Sequence, residues 1–194
     1  MAIDARPFVR GYLSLLVCGL CYLLWWLIAY RPVDGGKPKG MRSRSWWLLF
    51  PAVGAGLYAV WSIVGGSYAV DMAYGSTANL KVGLIGLAVF IVLFFGTWFG
   101  LKRPVTTELI LIPGWATMTV IACGALQTAG VFTAAARLVW VIVTLAAALL
   151  AFGGYLVYYK LEPKKAYLDG AVPLVLLCLH AAAFAAFTAL TGAP

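Results

Sequence analysis

The segment between Arg137 and Lys160 contains no other charged residue and is apolar along most of its length. At about 1.5 Å per residue, a helix of this length crosses the roughly 30 Å hydrocarbon core of a bilayer. Tyr155, Tyr158 and Tyr159 precede Lys160, a pattern typical of the membrane interface, where lysine side chains reach the headgroups. The segment therefore predicts a membrane-spanning helix.

The composition extends this interpretation to the whole chain. Of the 194 residues, 64% are hydrophobic and 10% are charged, and the mean hydropathy is +0.97. A soluble domain normally has about a quarter of its residues charged, so the sequence predicts an all-α, polytopic transmembrane helix bundle. We expect residues 1–194 to form a single integral membrane domain. The predicted spans are 10–30, 46–70, 81–101, 108–129, 134–159 and 167–190.

The distribution of the cations predicts how the chain is oriented. Most of the fourteen Lys and Arg residues lie in the loops after the first, third and fifth spans, and only Arg6, Arg10, Lys81 and Arg137 lie on the other side. The positive-inside rule then places the basic loops in the cytoplasm and both termini outside it. The short termini and the abundance of alanine and glycine favour a bacterial inner membrane.

The same distribution bears on the partners of the chain. The net charge of +8 is scattered among short loops instead of lying on one helix face, so it does not indicate binding to nucleic acid. The partners that we expect are the lipid bilayer and either another membrane protein or further copies of this chain.

A proline recurs near the predicted cytoplasmic start of each even-numbered span, at Pro51, Pro113 and Pro173. One interpretation is a repeat of three tandem helical hairpins. The alternative is that prolines mark helix starts, because a first-turn proline loses no intrahelical hydrogen bond. Pro51 and Pro113 lie late for a first turn, which predicts kinked helices.

The predicted outer side carries the candidate positions of a vestibule. If the hairpins repeat, Arg10, Lys81 and Arg137 would lie near one another at an outer mouth; otherwise each is a separate interfacial anchor. Asp71 ends the second span, and we expect its carboxylate to form an ion pair with Lys81 or Arg137, or to hold a cationic solute. Two further vestibule candidates are Tyr68 and Gln127.

His180 is the only histidine and lies deep in the sixth predicted span. One histidine cannot supply a bis-histidine haem site, so that site is excluded within this chain. A polar group at this depth needs a partner. The partner is either another side chain, which makes the histidine structural, or a ligand such as a haem or chlorophyll-type pigment shared with another subunit. The sequence therefore leaves the cofactor unknown, and a lipid or pigment between helices is compatible with it.

Other notable residues have structural interpretations. Cys18 and Cys21 form a C-x-x-C pair inside the first span, without a second cysteine pair in a loop, and we interpret them as small hydrophobic side chains. Four tryptophans flank the basic first loop and predict an aromatic belt at headgroup depth. They are Trp25, Trp26, Trp46 and Trp47.

No phosphate-binding glycine loop, zinc-binding helix or serine nucleophile motif is present, and we expect no catalytic residue, no metal site and no enzymatic activity. Two function classes remain. The first is a non-catalytic accessory or structural subunit of a larger membrane protein complex. The alternative is a small stand-alone transporter or channel for a neutral or weakly charged solute. The first is favoured because the predicted mid-bilayer positions carry no charge, which argues against ion-coupled transport.

Overall fold

A computed structural model describes residues 4–32, 40–102 and 107–192, apart from the side chains of Met41 and Glu108. These residues form six long helices and no strand, which confirms the predicted all-α bundle. The helices are α1 (Arg6–Ala29), α2 (Leu49–Tyr74), α3 (Ala78–Phe95), α4 (Thr107–Thr128), α5 (Ala134–Tyr158) and α6 (Pro163–Thr191). A 3-10 turn precedes α2, and a π-helical turn, Gly96–Gly100, extends α3. The loop cations Lys37, Lys39 and Arg103 lie outside the described residues.

All six helices are long and apolar enough to cross a membrane. Each begins and ends within a few residues of the corresponding predicted span. Two of the helices that begin earlier than hydropathy indicates have a proline in the first turn, which is compatible with a helix start: Pro7 in α1 and Pro163 in α6. Such starts are polar or charged, so a search for apolar runs does not include them.

The helices form a ring from which α3 is displaced. α1 packs against α2 and α6, α6 packs against α5, α5 against α4, and α4 against α2. α3 packs mainly on α4 and makes only slight contact with α2. Each successive pair is in contact, as helical hairpins require. The proposed duplication of the hairpins stays a prediction.

Glycines allow the backbones of α1 and α6 to approach closely. A Cβ added to Gly19 of α1 would lie 2.8 Å from Sγ of Cys178 on α6. A Cβ added to Gly170 of α6 would overlap the indole ring of Trp26 on α1. Lipid offers no hydrophobic driving force between helices, so close packing of this kind holds the pair together.

The four tryptophans of the expected aromatic belt differ in exposure, and the position of Trp46 and Trp47 at headgroup depth stays a prediction. Trp46 and Trp47 are 49% and 59% exposed, but Trp25 and Trp26 are buried, so the prediction was wrong for these two. The reason is that the end of α1 is enclosed by neighbouring helices. Trp26 Nε1 donates to the carbonyl of Tyr167 at 3.1 Å, and the hydroxyl of Tyr167 donates to the carbonyl of Leu27 at 2.9 Å.

The three repeated prolines occupy different helical positions. Pro51 lies in the first turn of α2, so the expectation that it comes too late for a first turn was wrong; the residues before it form the 3-10 turn Arg44–Leu48. Pro113 and Pro173 lie inside α4 and α6. An internal proline cannot donate to the carbonyl four residues earlier, so these two helices each lose one backbone hydrogen bond.

The contact between Gly170 and Trp26 makes a testable prediction. We expect Gly170→Ala to lower the free energy of unfolding by about 1–3 kcal/mol, because the added methyl group overpacks a buried ring that is held by a hydrogen bond. Reversible unfolding in mixed micelles of dodecyl maltoside and SDS measures this quantity.

The matched control is Gly153→Ala in α5, where a Cβ would meet no atom within 4 Å. This change should leave the free energy of unfolding unchanged or raise it by up to about 1 kcal/mol, since alanine stabilises a helix more than glycine does. Equal losses in the two variants would contradict the assigned α1–α6 packing.

Candidate functional site

His180 lies at the centre of the bundle, where α4, α5 and α6 meet. Its side chain is 6% exposed. Trp115 Nε1 of α4 donates to His180 Nδ1 at 3.0 Å. The other ring nitrogen, Nε2, lies 2.9 Å from Oγ1 of Thr144 on α5. The histidine therefore joins three helices through two hydrogen bonds.

The partners of His180 determine its tautomer. An indole N–H can only donate, so Nδ1 of the neutral imidazole is the acceptor and Nε2 carries the proton. Thr144 uses its own hydroxyl hydrogen to donate to the carbonyl of Trp140 at 2.6 Å, so its oxygen is available to accept from His180 Nε2. Every hydrogen-bonding group of the imidazole is thus satisfied inside the protein.

A second hydrogen-bonded pair connects α1 to the same position. The hydroxyl of Tyr12 donates to Oγ1 of Thr119 at 2.9 Å, and Thr119 donates to the carbonyl of Trp115 at 3.0 Å. Tyr12 and Thr119 are both fully buried. We call Tyr12, Thr119, Trp115, His180 and Thr144 the central polar cluster.

Aromatic rings close the space around this cluster. The Trp140 ring lies edge-on to His180, with ring centroids 5.4 Å apart, and also contacts Phe184 at 4.9 Å. The Tyr12 ring packs on Phe184 at 4.1 Å. The aromatic rings therefore pack directly against the Tyr12 and His180 side chains of the cluster.

The sequence singled out His180 alone, and the other members of the cluster were missed. The available signal was weak: Tyr12, Thr119 and Thr144 are isolated polar residues inside apolar runs, one on each of three helices. Threonine commonly bonds to its own helix backbone, so it does not by itself indicate a contact between helices.

Asp71 lies in the last turn of α2 and caps α3. Its Oδ2 accepts from the backbone N–H groups of Asn79 at 3.1 Å and Leu80 at 3.3 Å, and its Oδ1 accepts from Asn79 Nδ2 at 2.9 Å. Thr77, the residue that precedes α3, makes no capping bond of its own. A carboxylate at this position complements the positive end of the helix dipole.

The expected ion pair of Asp71 with Lys81 or Arg137 was wrong. Among the described residues the salt bridges join Arg6 to Asp4 and Lys165 to Glu162. Arg137 Nη1 instead donates to Oε1 of Gln127 at 2.7 Å, a contact between two of the predicted vestibule residues. Asp71 finds its donors closer in the sequence, in the first turn of the next helix.

The three cations that are predicted to lie on the outer side, Arg10, Lys81 and Arg137, are all exposed. Their joint role as a mouth stays a prediction, as does the assignment of the vestibule. Tyr68 is 59% exposed and lies beside Asp71 at a groove of about 150 Å³ between α2, α3 and α4. Within the part of the chain that the structure describes, no group of three or more His, Cys, Asp or Glu side chains could hold a metal ion.

Comparison of the chain with protein-family models, with curated proteins and with solved structures found no match.

The central polar cluster yields a prediction about stability. We expect Thr144→Val to lower the free energy of unfolding by about 1–3 kcal/mol, because it leaves the buried Nε2–H of His180 without an acceptor. Unfolding in mixed micelles at neutral pH measures the loss.

The chain offers a matched control on α6. Thr188 is also fully buried, but its hydroxyl has no hydrogen-bond partner. Thr188→Val makes the same chemical change and should be neutral or stabilising, since it removes an unsatisfied polar group. If the two valine variants changed the free energy of unfolding by the same amount, the Thr144–His180 bond would make no measurable contribution to stability.

Proposed function

We propose that this chain is a non-catalytic accessory or structural subunit of a larger membrane protein complex in a bacterial inner membrane. The observation that carries this proposal is the internal closure of the central polar cluster. Tyr12, Thr119, Trp115, His180 and Thr144 bond to one another and to backbone carbonyls. A transporter needs polar groups that are available to its solute, whereas these groups are occupied in holding helices together.

The displaced helix α3 is the surface that we assign to the partner. Asn79 is the one buried residue of α3, and its outer side chains include Ile85 at 63% and Val92 at 70% exposure. At the end of α3 and in the π-helical turn that follows, the rings of Phe95 and Phe99 stack with centroids 5.9 Å apart, and both are more than half exposed. A partner helix could pack along this face without displacing any helix of the ring.

Affinity purification of the full chain from native membranes in mild detergent, followed by native mass spectrometry, tests the proposal. We expect a partner protein at a fixed stoichiometric ratio. Val92→Trp should reduce its recovery several-fold by altering the proposed face. The matched control is Leu149→Trp on α5, where the replaced side chain is 71% exposed, and it should leave recovery unchanged.

A single chain or a homo-oligomer that retains a small molecule would contradict the subunit proposal and favour transport or binding. Equal loss of the partner in the two tryptophan variants would leave α3 without a special role and would contradict its assignment as the docking face.

The proposed orientation has both termini outside the cytoplasm, with the basic loops inside, as the positive-inside rule requires. In the subunit proposal Arg10, Lys81 and Arg137 are interfacial anchors. We expect their joint replacement by glutamine to alter the orientation or the assembly of the chain, because the charge asymmetry between the two sides changes. A reporter fused to the C-terminus measures the orientation, and native mass spectrometry measures the assembly.

The alternative function gives a different result in the same variant. If the three cations form the mouth of a transporter or channel, their neutralisation should change the uptake of a solute while orientation and assembly remain intact. That outcome would contradict the anchor assignment.

A further inference from the structure

A groove opens on the outer surface of the bundle where α3 separates from α2. It has a volume of about 150 Å³ and lies between α2, α3 and α4. Val64 and Tyr68 line it from α2, Leu80, Gly83 and Leu84 line it from α3, and Ile121 of α4 contributes to its lining.

The surface of this groove is almost wholly apolar because its polar groups already have partners. Asp71 and Asn79 lie at one end, but the carboxylate oxygens accept from the side-chain amide of Asn79 and from two backbone N–H groups. The hydroxyl of Ser67 donates to the carbonyl of Ile63 at 2.8 Å. Apart from the exposed hydroxyl of Tyr68, the walls therefore offer mainly apolar atoms to a ligand.

The groove is continuous with the surface that contacts the bilayer. Val64, Leu80 and Leu84 are 41%, 56% and 58% exposed, so they belong both to the groove and to the outer face of helices that are apolar enough to cross a membrane. Ile121, in contrast, is 6% exposed. The groove thus leads from the lipid-facing surface towards a buried residue of α4.

The size of the groove limits what it can hold. Drug-sized and cofactor-sized ligands occupy pockets of about 300–1,000 Å³, which is larger than this groove. A short stretch of an alkyl chain needs less space, is apolar throughout and is supplied by the bilayer itself. The exposed Tyr68 at the rim is of the residue type that favours the headgroup region.

From these observations we propose that the groove between α2, α3 and α4 is a binding site for one acyl chain of a bilayer phospholipid. The chain fills the space that the displacement of α3 leaves beside α2, and it touches Ile121. The site does not depend on the proposed subunit function, because its walls all belong to this chain.

Gly83 is the position from which the site can be filled by mutation. A Cβ at Gly83 would lie 3.6 Å from Cδ1 of Ile121, an ordinary contact distance, so a larger side chain can start there without a clash. Gly83→Leu would occupy the groove. The matched control is Gly65→Leu on α2, because Gly65 is exposed and a Cβ there would meet no atom within 4 Å.

The experiment uses the full-length chain, reconstituted in phosphatidylcholine and phosphatidylglycerol vesicles that contain a phosphatidylcholine with a diazirine on one acyl chain. After photolysis, peptide mass spectrometry locates the labelled residues. Since a close-packed interior admits no acyl chain, labelling at Ile121 should exceed that at the fully buried Leu126 of the same helix by at least about tenfold. Leu149, exposed on α5, reports the surrounding bulk lipid.

In Gly83→Leu we expect the label at Ile121 to fall to the level at Leu126, while the label at Leu149 stays constant. Gly65→Leu should retain the wild-type pattern. Circular dichroism establishes that each variant is folded, and Gly83→Ala, which adds one methyl group, should give an intermediate decrease if the leucine variant does not fold. Wild-type labelling at Ile121 no higher than at Leu126 would overturn the proposal, and so would labelling at Ile121 that persists in folded Gly83→Leu.

Discussion

The structure depends on one cost of the bilayer interior: a polar group that is removed from water raises the free energy of the fold unless it finds a partner within the protein. His180 avoids this cost through Trp115 on one side and Thr144 on the other, so that its two ring nitrogens connect α6 to α4 and α5. The bond from Tyr12 to Thr119 extends the connection to α1. These bonds specify which helix faces must meet, whereas apolar packing alone would allow many rotations of each helix.

The same cost explains the bonds of Asp71, which lies in the last turn of α2 and forms no salt bridge among the described residues. The first N–H groups of a helix have no partner within that helix. At the start of α3, two of them are satisfied by the carboxylate of Asp71, and Asn79 supplies a third bond from its side chain. The carboxylate thus already has three donors, and Lys81 is exposed and forms no salt bridge with it.

The sequence predicts the number and approximate limits of the helices because a bilayer imposes length and hydropathy on each of them. It does not predict which apolar face contacts lipid and which contacts protein, because both environments favour the same side chains. Trp25 and Trp46 illustrate the limit: both stand beside the basic first loop, yet Trp25 is 4% exposed and Trp46 is 49% exposed. The sequence does not predict the displacement of α3 for the same reason, since α3 is as hydrophobic as the five helices of the ring.

The partners of His180 were unpredictable for a related reason. The sequence indicates that a deep histidine needs a partner, but Trp115 and Thr144 lie 65 and 36 residues away along the chain. Each is compatible with a purely local role, Trp115 as an apolar side chain and Thr144 through the carbonyl of Trp140 on its own helix. Only the packing of three helices brings these groups together.

The attachment of α3 follows from what the bilayer does not supply. An apolar helix surface is as stable against lipid as against another apolar helix, so hydrophobicity does not hold α3 on the bundle. Local contacts that lipid cannot replace hold it there. Asp71 holds its first turn. Further along, Gly86 allows the backbone of α3 to approach the side chain of Thr117 on α4. Both features act where α3 meets the bundle. The outer face of α3 contributes to neither of them. A substitution on that outer face should therefore report on what the helix contacts in the membrane and not on whether the chain folds.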